Sequence, residues 1–172
     1  VLPGDVDGDG FEDVFFGDWE PSVGAVRGGT LLKFSVNAMD EVDLDVLQFG
    51  VWPDERLGTD LTLIDVTADG LEDLVVTAIQ PDELANDTGR VRIYERGPDG
   101  FATEPVWEAY GGPGDRLGSS VGTCDIDGDG YQDLIVGADR DEDRSQLLIA
   151  NDQGSIWVYK GTADGLEESA SV

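Results

Sequence analysis

Nine residues, DVDGDGFED at 5–13, hold four aspartates and two glycines. The pattern returns as DVTADGLED at 65–73 and DIDGDGYQD at 125–133, with sixty residues between successive copies. Carboxylates packed this densely repel one another unless a positive charge neutralises them. A hard divalent cation does so, and calcium takes 6–8 oxygen ligands at about 2.3–2.6 Å in flexible geometry. Alternate positions of a curling chain supply the oxygens. Positions one, three and five give side chains, a glycine at six permits the sharp turn, seven gives a backbone carbonyl and nine closes the site. The expected ligands are Asp5, Asp7, Asp9, the Phe11 carbonyl and Asp13 in loop one. In loop two they are Asp65, Thr67, Asp69, the Leu71 carbonyl and Asp73; in loop three, Asp125, Asp127, Asp129, the Tyr131 carbonyl and Asp133. Two or three calcium ions are expected, and Thr67, a neutral oxygen, predicts weaker binding at loop two.

Rival readings fail on spacing. An EF-hand needs a bidentate Glu at position twelve and flanking helices. Position twelve here is Phe16, Val76 and Val136, inside apolar β-type runs. Magnesium prefers octahedral sites that keep several waters. The chain has no histidine, which removes the commonest general base and any histidine-ligated zinc or haem site. The remaining acids, such as Glu20, Glu55 and Glu104, form no recognisable catalytic pair. No enzyme is expected.

The elements that position these loops repeat with them. PDERLG (53–58) returns as PGDRLG (113–118). Each loop runs into an apolar stretch: DVFFG (13–17), DLVVT (73–77), DLIVG (133–137). Glycine followed by alternation comes next: GTLLKF (29–34), GRVRIY (89–94), GSIWVY (154–159). GPDGF (97–101) matches TADGL (162–166), and VLQFG (46–50) matches VWEAYG (106–111). Runs rich in β-branched and aromatic residues, separated by Gly, Asp and Pro, read as short strands. Each unit offers four, so the expected class is all-β, with four-stranded antiparallel propeller blades that stack to bury their faces. The repeats are expected at 1–52, 53–112 and 113–172 within a single β-propeller region. In the third, strands are expected near Gly118–Cys124, Asp133–Ala138, Ser155–Lys160 and Ser169–Val172. Helical periodicity is absent beyond one possible turn at 80–86. Trp107, Tyr110 and Trp157 are expected to pack between blades.

The chain carries 38 acids against 10 bases, a net charge of −28. Nucleic acid and anionic membranes would repel it, and no apolar run approaches the ~18 residues of a membrane span. Attraction of cations and adaptation to high salt both fit this composition. A lone cysteine, Cys124, excludes an intrachain disulfide; its apolar setting predicts a buried thiol. Unit three carries an insert, 138–152, between its second and third strands, and long loops on regular scaffolds are where binding usually sits.

DIDGDGYQDLIVGA (125–138) with GSIWVY (154–159) resembles the FG-GAP repeat of integrin α-subunit propellers and their bacterial relatives. Leu57-Gly58 and Leu117-Gly118 stand where that repeat has Phe-Gly, Asp139 replaces the proline after Gly-Ala, and unit two has Thr77-Ala78. These departures suit a prokaryotic-type member. The resemblance implies a β-propeller, typically of seven blades, with calcium rigidifying the hairpin between the first and second strands. It implies partners bound through loops on the opposite face, and a place outside the cell or on its surface. Adhesion, protein binding or surface assembly is the expected role; a lectin-like propeller or an accessory domain of a secreted enzyme is the alternative, with Trp19, Trp52 and Trp107 as candidates to stack on sugars. The ligand is expected to be a protein or glycan. Three units cannot close a seven-bladed ring. Further blades or neighbouring chains are expected to complete it.

Overall fold

The computed structural model describes residues 1–6, 10–18, 28–36, 41–49, 55–80, 87–98, 100–140 and 154–167. The described residues contain no helix, and none is long and apolar enough to cross a membrane, which says nothing of strands. The first sheet is β1 (Leu2–Gly4), β2 (Asp13–Asp18), β3 (Thr30–Val36) and β4 (Val42–Phe49), in that order. The second contains β5 (Leu57–Ile64), β6 (Asp73–Ala78) and β7 (Arg90–Tyr94). After the ribbon β8 (Arg96–Gly97) and β9 (Gly100–Phe101) it is completed by β10 (Trp107–Tyr110), which pairs with β7. The third contains β11 (Leu117–Cys124), β12 (Asp133–Ala138) and β13 (Ser155–Tyr159), followed by the ribbon β14 (Gly161–Thr162) and β15 (Gly165–Leu166). All pairing inside these sheets is antiparallel.

The strands of unit three fall where the alternation places them, within a residue at each end. The two ribbons were not among the four strands expected per unit; they occupy the matching GPDGF and TADGL segments. Residues 81–86, 141–152 and 168–172 lie outside the described residues. So do the expected helical turn beyond Gln80, most of the insert, the expected fourth strand of unit three, and Trp19, Glu20 and Trp52.

Burial shows how the sheets stack. Every residue of β6 is buried, whereas β2 is buried on alternate positions. A strand reads as continuously apolar when both faces are covered, and sheet two lies between the other two. One core joins Phe15 and Leu31 of sheet one to Leu61, Leu63, Leu74, Val76 and Tyr94 of sheet two. A second joins Ile64, Val75, Val91 and Ile93 to Leu117, Leu134, Val136 and Tyr159. Each such side chain contributes roughly 1.5–3 kcal/mol when fully buried. Trp107 and Trp157 pack against the second core. Trp107 meets Tyr159 edge-on across the two sheets, with ring centroids 4.8 Å apart.

A backbone latch recurs at each junction. Gly29 bridges Leu57, and Gly89 bridges Leu117, in parallel fashion. Leu57 N–H donates to Gly28 O (2.9 Å) and Leu117 N–H to Thr88 O (3.1 Å). At Gly89, φ is +75°, and an added Cβ would collide with the Leu117 backbone, so both space and conformation demand glycine.

The thiol expectation is corrected: Cys124 is exposed. It pairs with Asp133 in register as Ile64 pairs with Asp73. Ile64 is fully buried because sheet three covers it; among the described residues no sheet covers the equivalent face of sheet three.

Glu55 and Arg90 form an ion pair with each side chain 1% exposed. Removing one partner of such a pair strands a buried charge, at a cost of about 3–5 kcal/mol. Glu55→Ala should therefore lower unfolding stability by about that amount in urea titration. Adding Arg90→Leu to it should recover part of the loss.

Candidate metal centre

Each acidic loop joins the first and second strands of its sheet. The position-one aspartate organises the turn. Asp65 accepts from the N–H groups of Asp69 (3.1 Å) and Gly70 (2.9 Å). Asp125 accepts from Gly128 (2.7 Å), Asp129 (3.1 Å) and Gly130 (3.0 Å). Asp5 accepts from Gly10 (3.1 Å). Gly10, Gly70 and Gly130, at position six, have φ of 89°, 86° and 95°, with open space where a Cβ would stand. Conformation, not crowding, requires glycine there.

The position-nine aspartates are buried: Asp13 is 3% exposed, Asp73 0% and Asp133 1%. Asp73 accepts from Val66 (3.0 Å) on one oxygen and Arg96 (2.8 Å) on the other. Asp133 does the same with Ile126 (2.7 Å) and Gly161 (2.9 Å). In loop one, Asp13 accepts from Val6 (3.3 Å), and Lys33 Nζ lies 3.6 Å from its other oxygen. Burial raises the Asp73 carboxyl above the ordinary aspartate range, against the two N–H bonds, and the charges of Asp69 and Asp65 raise it further.

Positions three and five differ among the loops. Asp7 and Asp9 lie outside the described residues. Asp69 and Asp129 each accept from the N–H of position seven, Leu71 and Tyr131, at 2.8 and 2.9 Å. Loop two carries Thr67 and then Ala68, which holds φ at 56° where loop three has Gly128. In loop three the Lys160 ammonium lies 2.6 Å from Asp127 Oδ2. That hydrogen bond holds the Asp127 carboxyl below its usual range and raises Lys160.

Oxygens of Asp125, Asp127 and Asp133 lie within 4.8 Å of one another. Two oxygens bound to one calcium ion stand at most about 5 Å apart, so these three fit around a single ion. Asp129 is not in that group, and among the described residues loops one and two form no such group. The donor set is wholly oxygen, which suits a hard cation. Asp125 Oδ1 already accepts two N–H bonds, whereas Asp125 Oδ2 and both Asp133 oxygens accept one each and keep a second lone pair to offer. Lys160 already places a positive charge against one of the three.

Missing from a motif-level view are the backbone partners of the position-nine side chains. So are Gln132, whose Oε1 accepts from Asp65 N–H (3.1 Å) and ties loop three to loop two, and the two lysines. Only the in-phase recurrence of Gln/Glu at position eight hints at the first.

Position nine and position three should separate on substitution. Asp133→Ala strands two backbone N–H groups and should cost about 2–4 kcal/mol even in chelator. Asp127→Asn, at an exposed site, should leave chelated stability unchanged. Chemical denaturation in EGTA measures both.

The sequence comparisons agree with this geometry. Residues 117–159 match the FG-GAP repeat and residues 56–136 the FG-GAP-like repeat. Integrin alpha-PS2 of Drosophila melanogaster is 31% identical over 176 residues, covering 96% of this chain and 12% of the relative. Integrin alpha pat-2 of Caenorhabditis briggsae is 27% identical over 189 residues (96% and 14%). Human integrin alpha-8 is 30% identical over 152 residues (80% and 14%). The chain thus spans about an eighth of the length of the curated relatives it matches. With loops, strands and period coinciding over nearly its whole length, the chain belongs to the FG-GAP repeat family, and its sheets are blades of a β-propeller.

Proposed function

We propose that the chain is a calcium-stabilised, non-enzymatic β-propeller module that works outside the cell or on its surface, in adhesion, protein–protein binding or surface assembly. The observation that carries the calcium reading is the convergence of Asp125, Asp127 and Asp133 on one loop. The reading extends to loops one and two by the repeat, since Asp5 and Asp65 accept from the position-six N–H as Asp125 does. The integrin relatives support the adhesive role. The repeats 1–52, 53–112 and 113–172 are the proposed structural units, and the 138–152 insert is the proposed contact loop.

Two apolar faces support a further partner. On blade one, Val14, Phe16, Leu32 and Phe34 are half-buried, while Val42, Leu44 and Val46 are 62%, 55% and 48% exposed. Val14, Phe16 and Phe34 stand at the repeat positions of Leu74, Val76 and Tyr94, which blade two buries against blade one. On blade three, Ile135, Ile156 and Val158 stand where blade two has Val75, Val91 and Ile93, buried against blade three. The fitting partner for either face is another blade of the same kind, later in the polypeptide or on a neighbouring chain.

A cleft of about 340 Å³ favours the lectin-like alternative. It lies between blades two and three, lined by Thr67, Val106, Trp107, Asp164 and Leu166. Trp107 is its candidate stacking surface, and a glycan array separates this reading from protein adhesion.

Calcium titration tests the main reading. The amides of Gly10, Gly70 and Gly130 report one loop each in a ¹H–¹⁵N spectrum. Two or three of them should shift saturably on adding calcium, and EGTA should lower the melting temperature of the loaded protein. No shift and no effect of chelation would sink the calcium reading.

A further inference from the structure

The chain has two lysines, Lys33 and Lys160, among 38 acidic residues. Both stand against a carboxylate of an acidic loop. Lys33 faces Asp13 at position nine of loop one, and Lys160 faces Asp127 at position three of loop three. They arrive from different places in the repeat. Lys33 pairs with Phe15 in register, the place that Ile93 and Val158 hold opposite Val75 and Ile135. Lys160 follows Tyr159 as Glu95 follows Tyr94 and Ser35 follows Phe34. One repeat position copied three times does not account for this; two separate positions deliver an ammonium to the same kind of loop.

Loops one and three each have four aspartates at the ligand positions and one lysine. Loop two has three aspartates, with Thr67 in the fourth place, and Glu95 where loop three has Lys160. With its lysine, loop three's set is three negative; loop two's three aspartates with Glu95 are four negative. By ligand carboxylates alone loop two is the weakest site; Lys160 at loop three and Glu95 at loop two act against that order.

We propose that Lys33 and Lys160 are tethered counter-charges that lower the divalent-cation affinity of loops one and three. The proposal rests on the calcium reading above. An exposed Lys–Asp pair contributes little to folding stability. A unit positive charge a few ångströms from a bound dication repels it, by an amount worth about three- to tenfold in affinity after solvent and salt screening. Either the ammonium swings away when the ion enters or it remains and repels it. Both routes weaken binding.

The test is a calcium titration of the wild-type chain, Lys160→Gln, Lys160→Arg and Thr67→Asp, read at the Gly130 and Gly70 amides and by calorimetry. Lys160 is exposed, so neither of its substitutions should disturb the fold. Lys160→Gln should tighten loop three by about three- to tenfold and leave loop two unchanged. Lys160→Arg, which keeps the charge, should match wild type. Thr67→Asp should tighten loop two by a similar factor and leave loop three alone. Calcium binding at loop three with equal affinity in wild type and Lys160→Gln would overturn the counter-charge inference and leave the calcium reading intact. No calcium binding in any of the four proteins would overturn the calcium reading, and the inference with it.

Discussion

A carboxylate taken out of water is unfavourable unless its oxygens find donors. Asp73 and Asp133 find them in the backbone. One oxygen holds the second residue of the loop, and the other holds the first residues of the ribbon after the third strand. A single side chain thus ties three segments far apart in sequence at one end of the blade. The rest of the loop is arranged around it. The position-one aspartate gathers the turn, glycine supplies the left-handed step, and the carboxylates left over face outward. The proposed metal site is built on this hydrogen-bonded frame.

Stacking and charge pull in different directions. The cores between blades are apolar and closely shared, while the chain carries a net charge of −28. Self-repulsion of that size works against a compact state. Positive charge inside the fold is correspondingly concentrated where acids are dense. Arg90 lies buried against Glu55, and the lysines lie against loop aspartates.

Much of this was legible in the chain itself. Strand positions followed from period-two alternation punctuated by Asp and Gly, so β11, β12 and β13 could be placed within a residue. The loops were legible because their chemistry is local: nine consecutive residues hold every side chain concerned. What escaped notice involves distance or neighbours. Lys160 meets Asp127 across 33 positions, and no local pattern marks a lysine that replaces a glutamate as a partner for a carboxylate. The Glu55–Arg90 pair joins the turn before one strand to the start of another. Cys124 looked like a core thiol because of its apolar setting; its exposure depends on what stacks beyond it, which local sequence does not encode. Position nine was read only as a ligand, and its structural use of the backbone became visible with the fold.

The two faces of each blade are unlike, and each fits the opposite face of the next. Such a unit is a tile with a plug and a socket. Nothing in a plug-and-socket pair counts copies. The number of tiles in a finished array is therefore decided by the small rotation between neighbours and by whatever caps or meets the ends. A gene carrying this tile can lengthen or shorten its product by whole repeats without redesigning a single interface.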